Sequence, residues 1–216
     1  GLPALAGALV QWATANLTDV LRRRNPIIVG GSLAQALVWV PVCAAIFLPR
    51  ETGYYVLLAA YVGLIALANF PMPAWQSLMG DLVPPRRRGR YFGWRNTLAN
   101  GVLTAAVFGA GWWLTLCTGQ EKLTVLGLSG RDFGFLVLFA VAGAARLVSV
   151  WYLSRVYEPT YRHEPADRFT FLQFLRRAPS AHFGRFVFYV GLLWVGIGAV
   201  LPYLAWYLLT ERKFSP

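Results

Sequence analysis

Charge is missing from most of this sequence. Gly1–Thr18, Asn25–Pro49, Thr52–Gly80, Asn96–Gln120 and Phe186–Thr210 contain no aspartate, glutamate, lysine or arginine, and Phe133–Ser154 contains one, Arg146. Over 216 residues only 13% are charged and 57% are hydrophobic, whereas a soluble domain carries about 25% charged residues. That scarcity excludes an ordinary soluble domain. A bilayer core of roughly 30 Å needs about 20 apolar residues of helix. Five of the six stretches reach that length, and the first falls slightly short. The runs are continuous rather than short and alternating, which excludes a membrane barrel. The composition predicts an all-α, polytopic bundle of about six membrane-spanning helices.

Cysteine and histidine are equally scarce. Cys43 and Cys117 fall in outer halves of predicted spans with no histidine nearby, and His163 and His182 lie outside the spans. That excludes a metal site, and no cofactor is expected. The cysteines read as small apolar fillers, with a disulfide as the alternative. No acid lies inside any apolar stretch, so this part of the chain offers no proton-relay carboxylate. An intramembrane enzyme would need acids, histidines or a nucleophile facing each other within spans, and almost none are available. The first stretch lacks the basic n-region of a signal peptide and runs straight into a loop and another span. A start at Gly1 rather than Met suggests that the sequence begins mid-protein.

What is present is arginine, 18 against two lysines, with a formal net charge of +11. In a soluble protein this would suggest nucleic acid; here the charge lies between apolar blocks, so the partner is the bilayer and no nucleic acid is expected. Summed over alternate connections, one side carries 14 basic residues and the other five. The richer side should be cytoplasmic, which places loops 16–25, 80–95 and 155–185 inside a plasma membrane, taken as a bacterial inner membrane.

The densest cluster is "MGDLVPPRRRGRYFGWRN", Met79–Asn96, with five arginines, two prolines and three glycines. Within it Asp81, Pro84, Arg88 and Gly89 form D-x-x-P-x-x-x-R-G at the junction of two spans. Earlier, "ANLTDVLRRRNP" places Asp19 four residues before Arg23 and five before Arg24. Pro84 and Pro85 end the preceding helix. A carboxylate at a helix end can cap backbone N–H groups or pair with a guanidinium in one fixed geometry. Pairs of this kind, placed where helices must separate, would stabilise one conformer over another.

These two loops resemble those of the major facilitator superfamily, whose loop between helices four and five carries D/E-x-x-P-x-x-x-R-G. Its loop between helices two and three carries G-x-x-x-D-R-x-G-R-R/K, which this chain matches at Asp19, Arg23 and Arg24. It departs from that pattern at Ala15, Val20 and Arg22, although Ala15 is still small enough for close helix approach. The resemblance implies family helix two at about 3–18, three at 26–48, four at 54–79, five at 95–118, six at 132–155 and seven at 186–210. Residues 1–155 would then belong to the N-terminal half, 156–184 to a central cytoplasmic loop with an amphipathic stretch around Phe169–Phe174, and 185–216 to the first span of the second half. It further implies a permease for a small solute, moved by alternating access with a proton or sodium as coupling ion. Asp19, Arg23, Arg24, Asp81, Pro84, Arg88 and Gly89 would form cytoplasmic gate motifs.

Substrate sites in such folds lie near the midplane, so the candidates are polar or aromatic residues inside spans. They are Gln11, Asn69, Gln76, Asn100, Trp194, Tyr203 and the single intramembrane charge, Arg146. Arg146 also reads as snorkelling toward water or as one member of a structural pair. The segment "NFPMPAW", with Pro71 and Pro73, is the expected kink. The other readings are a complete six-helix protein acting as a homodimer or scaffold, and an intramembrane enzyme.

Overall fold

The computed structural model describes residues 2–21, 23–119, 127–159 and 182–210. Among these are seven α-helices: α1 Leu2–Leu21, α2 Asn25–Ala44, α3 Arg50–Asn69, α4 Met72–Leu82, α5 Arg88–Thr118, α6 Gly130–Ser154 and α7 His182–Thr210. Five stretches are long and apolar enough to cross a membrane: Asn25–Phe47, Arg50–Leu82, Pro85–Thr118, Gly130–Ser154 and Gly184–Leu201. The first predicted span forms the 20-residue α1 but is not among these five. It interrupts its apolar run with Gln11, Thr14, Asn16 and Thr18.

The chain divides into two compact units, Gly1–His163 and Glu164–Pro216. The boundary falls inside the segment 156–184 expected to join two halves. Most of that segment, including Phe169–Phe174, lies outside the described residues. The second unit contributes α7, whose residues from Arg185 to Tyr189 and Gly191 to Leu201 are all exposed.

In the first unit α2 lies between α3 and α6, α1 packs on α3 and α4, and α5 packs on α6. Glycine admits the close approaches. A Cβ on Gly31 would sit 2.5 Å from the Phe70 ring, and one on Gly143 would sit 3.0 Å from Trp39 Cβ. The turn from α2 into α3 is closed against backbone, because a Cβ on Gly53 would lie 2.8 Å from the Ala45 carbonyl oxygen. Lipid is as apolar as leucine, so membrane helices associate through such close backbone contact.

The expected kink is present. α3 stops at Asn69, and α4 starts at Met72. Pro71 and Pro73 have no N–H to donate, so the carbonyls of Leu67 and Asn69 lose their i+4 partners. The helix is re-formed when the Trp75 N–H donates to the Pro71 carbonyl at 2.9 Å. At the far end, Ser129 caps α6, accepting from the Asp132 N–H at 3.2 Å while its hydroxyl donates to the Asp132 carboxylate at 2.7 Å. One serine thus satisfies a free N–H of the first turn and orients the acid that faces the helix's positive end. Cys43 and Cys117 are both free and half-buried; Cys117 packs against Gly134.

The buried apolar core sits at one end of the unit. Ile27 and Ile28 at the start of α2 meet Ala74, Leu78 and Met79 of α4, flanked by Phe92, Leu153 and Val156. The arginine-rich connections converge on this same end.

Candidate functional site

Directly at that core, three connections distant in sequence are joined by ions. Arg24, between α1 and α2, is only 2% exposed. Its guanidinium pairs with the Asp81 carboxylate at 2.6 Å, the aspartate being half-exposed. A guanidinium that deeply placed requires a counter-charge, and α4 supplies one near its C-terminal end. The Arg24 backbone N–H donates to Glu158 Oε1 at 2.5 Å, and the Asn25 N–H donates to Glu158 Oε2 at 3.3 Å. Glu158, just beyond α6, therefore caps α2, whose own N-cap residue makes no side-chain cap. A carboxylate over the positive end of a helix is favoured by the helix dipole as well as by the hydrogen bonds. The Asn25 side-chain amide adds a bond to the Val156 carbonyl at 3.3 Å. The ends of α1, α2, α4 and α6 are thus held at one point.

Asp81 pairs with Arg24 rather than with an arginine of its own loop. Arg88 is engaged elsewhere: its Nε donates to the Val83 carbonyl at 3.0 Å, and its terminal nitrogen donates to the Gly80 carbonyl. Those are the free acceptors at the C-terminus of α4, so the motif arginine acts as a C-terminal cap. Pro84, extended at φ −55° and ψ 140°, separates α4 from the 3₁₀ turn Pro85–Arg87. Gly89 lies in the first turn of α5, in open space. Arg23 is exposed. The Asp19 side chain lies outside the described residues, as does Arg22.

Farther into the unit, two of the candidate residues touch. The Gln11 amide donates to Asn69 Oδ1 at 2.9 Å, and Asn69 Nδ2 donates to the Ile65 carbonyl at 2.8 Å. The bond ties α1 to the broken end of α3. Arg146 donates to the Ser32 hydroxyl at 3.1 Å, joining α6 to α2, and Ser32 is fully buried. Among the described residues Arg146 Nε has no partner. Gln76 on α4 and Asn100 on α5 are exposed, and the Asn100 carbonyl accepts from Thr104 at 2.9 Å. Trp194 and Tyr203 are exposed on α7 in the second unit. Within the first unit the candidates do not form one cluster: Gln11 and Asn69 meet, Arg146 pairs with Ser32, and Gln76 and Asn100 are exposed on separate helices.

Two participants were not singled out in the sequence. Glu158 is one of three acids in an arginine-rich connection, with Glu164 and Asp167, and stands directly before Pro159; no local feature sets it apart. Ser32 follows Gly30 and Gly31 in α2, and no local feature marks it.

No group of histidine, cysteine or acid among the described residues could hold a metal ion. No protein-family model matches the chain, and neither a curated protein nor a solved structure is significantly similar to it.

Proposed function

We propose that this chain is part of a secondary active transporter of the major facilitator type, moving a small solute by alternating access. The observation that carries the reading is the Arg24–Asp81 pair. The two loops whose residues resemble the family's motifs are remote in sequence, and one contributes the cation and the other the anion of a single buried contact. In this reading the first unit moves as a rigid half, its basic end locked by Arg24, Asp81 and Glu158. Arg88 serves the same end by closing α4. The broken helix between Asn69 and Met72 supports the reading from the membrane interior, since discontinuous helices expose backbone and amide groups where solutes bind. Gln11 and Asn69 are then the first side chains we assign to a solute path. The basic end faces the cytoplasm in this scheme, and a coupling ion, proton or sodium, drives the cycle.

The test needs no knowledge of the solute. Asn69→Cys is introduced with Cys43 and Cys117 replaced by alanine, and the protein is sealed into vesicles of either orientation. A membrane-impermeant maleimide should label position 69 from both faces, at rates that change in opposite directions when Asp81 becomes Asn. Gln76→Cys provides a second position on the other side of the break. Labelling from one face only at both positions would remove alternating access, and a static helical scaffold or homodimer would take its place.

A further inference from the structure

Beside the ion cluster, the junction of α4 and α5 forms an open groove of about 720 Å³ lined by Leu82, Val83, Pro84, Arg87, Arg90, Tyr91 and Trp94. The volume is within the range of small-molecule sites, roughly 300–1,000 Å³. Its walls come from two sources. Leu82, Val83 and Pro84 supply an apolar floor; Arg87 stands at the N-cap of α5, and Arg90, Tyr91 and Trp94 lie three, four and seven residues beyond it, a spacing that keeps them on one helical face.

The charges in this pocket are uncommitted. Among the described residues neither the Arg87 nor the Arg90 guanidinium makes a hydrogen bond, ion pair or ring contact, and both residues are exposed. The neighbouring arginines differ: Arg88 is turned back onto the α4 carbonyls, and Arg95 lies over the Trp75 ring at 4.4 Å. The adjacent acid, Asp81, is held by Arg24 and does not line the pocket. The first turn of α5 carries no acid, and its N-cap side chain makes no bond, so the helix's positive end adds to the same field. Nothing within the first unit's described residues neutralises this concentration of positive charge.

The geometry points to a binding site for the phosphate of an anionic phospholipid in the leaflet at the basic end. Two guanidinium groups suit a phosphodiester, which they can grip with paired N–H donors. Trp94 and Tyr91, 62% and 43% exposed, have the amphipathic rings that settle at headgroup depth. The apolar floor accepts the glycerol backbone and the first acyl carbons. A free phosphate ion would use the arginines but leave the floor and both rings without an occupant. The inference does not depend on transport: it requires only that α4 and α5 border the membrane.

The test is lipid retention, read by native mass spectrometry after the full chain is released from bilayers of phosphatidylcholine doped with phosphatidylglycerol. The double variant Arg87→Gln, Arg90→Gln should weaken phosphatidylglycerol binding about tenfold or more, from two charges near a surface. Removing the same charge at exposed arginines outside the pocket, Arg86→Gln with Arg185→Gln, should leave retention near the starting value. The pair Arg87→Lys, Arg90→Lys keeps the charge, so binding that recovers with lysine identifies the loss as electrostatic and not a failure to fold. Equal losses in both glutamine pairs, or none in either, would overturn the site. Displacement of the lipid by millimolar inorganic phosphate would also overturn it and assign the pocket to the free ion.

Discussion

Helices α2 and α5 are both uncharged along most of their length, yet they are used in opposite ways. α2, with 20 residues, buries Ile27, Ile28, Gly31, Ser32, Ala36 and Val42. It touches α3 and α6 along its length and receives Arg146 and Glu158 as polar anchors. α5 is longer, at 31 residues, and has no buried residue. Its glycines Gly101, Gly109 and Gly111 have nothing within 4 Å of a Cβ position. Its fixed points are at its two ends: Tyr91 and Phe92 against α4 at the start, and Trp113 donating to the Gly134 carbonyl at 3.2 Å near the finish. Hydrophobicity alone therefore does not decide which helix becomes the centre of a membrane bundle. Small residues that admit a neighbour's ring, together with buried polar contacts, decide it.

Perturbations graded by size can break or sharpen this contrast. The largest effect is expected for Asp81→Asn, which removes the carboxylate charge that pairs with the buried Arg24 guanidinium. Thermal unfolding in lipid nanodiscs should show a loss of about 3 kcal/mol, at the lower end for a broken buried pair because Asp81 is half-exposed. Gly53→Ala comes next, since the new methyl would press on the Ala45 carbonyl oxygen; about 2 kcal/mol is expected from overpacking. The matching change on α5, Gly109→Ala, should move stability by less than about 0.5 kcal/mol. A large loss there would show that a further helix or a second copy packs on α5 and would erase the contrast. Glu158→Gln removes the charge of the α2 cap and should cost about 1 kcal/mol, detectable as faster amide exchange at Arg24 and Asn25. Arg95→Gln takes a cation from the Trp75 face at an exposed site and should cost about 0.5 kcal/mol, readable as a small shift in tryptophan emission.

Much of the bundle was legible from the sequence because the bilayer imposes length on every apolar run. The break at Asn69–Met72 was legible for the same kind of reason: two prolines remove donors whatever the surroundings. The α1 stretch was harder, since Gln11, Thr14, Asn16 and Thr18 lower its hydropathy while Gln11 turns out to bond Asn69. The meeting of Arg24 with Asp81 was suggested only loosely. The motifs placed both residues at one end of the bundle, but pairing across 57 positions depends on how α2 and α4 pack around Ile28 and Leu78. The same packing leaves Arg88, a member of the same motif, to close α4. Glu158 and Ser32 could not be read from local sequence at all, because each acts only through a partner more than 100 residues away.

The most direct measurement is a double-mutant cycle on the central pair, Arg24→Gln and Asp81→Asn, followed by unfolding in nanodiscs. If the two loops form one buried ionic contact, the double variant should be more stable than the summed single losses predict, with a coupling of about 1.5 kcal/mol or more. Strict additivity, to within about 0.3 kcal/mol, would mean that Arg24 and Asp81 do not sense each other and that the basic end is not held by this pair.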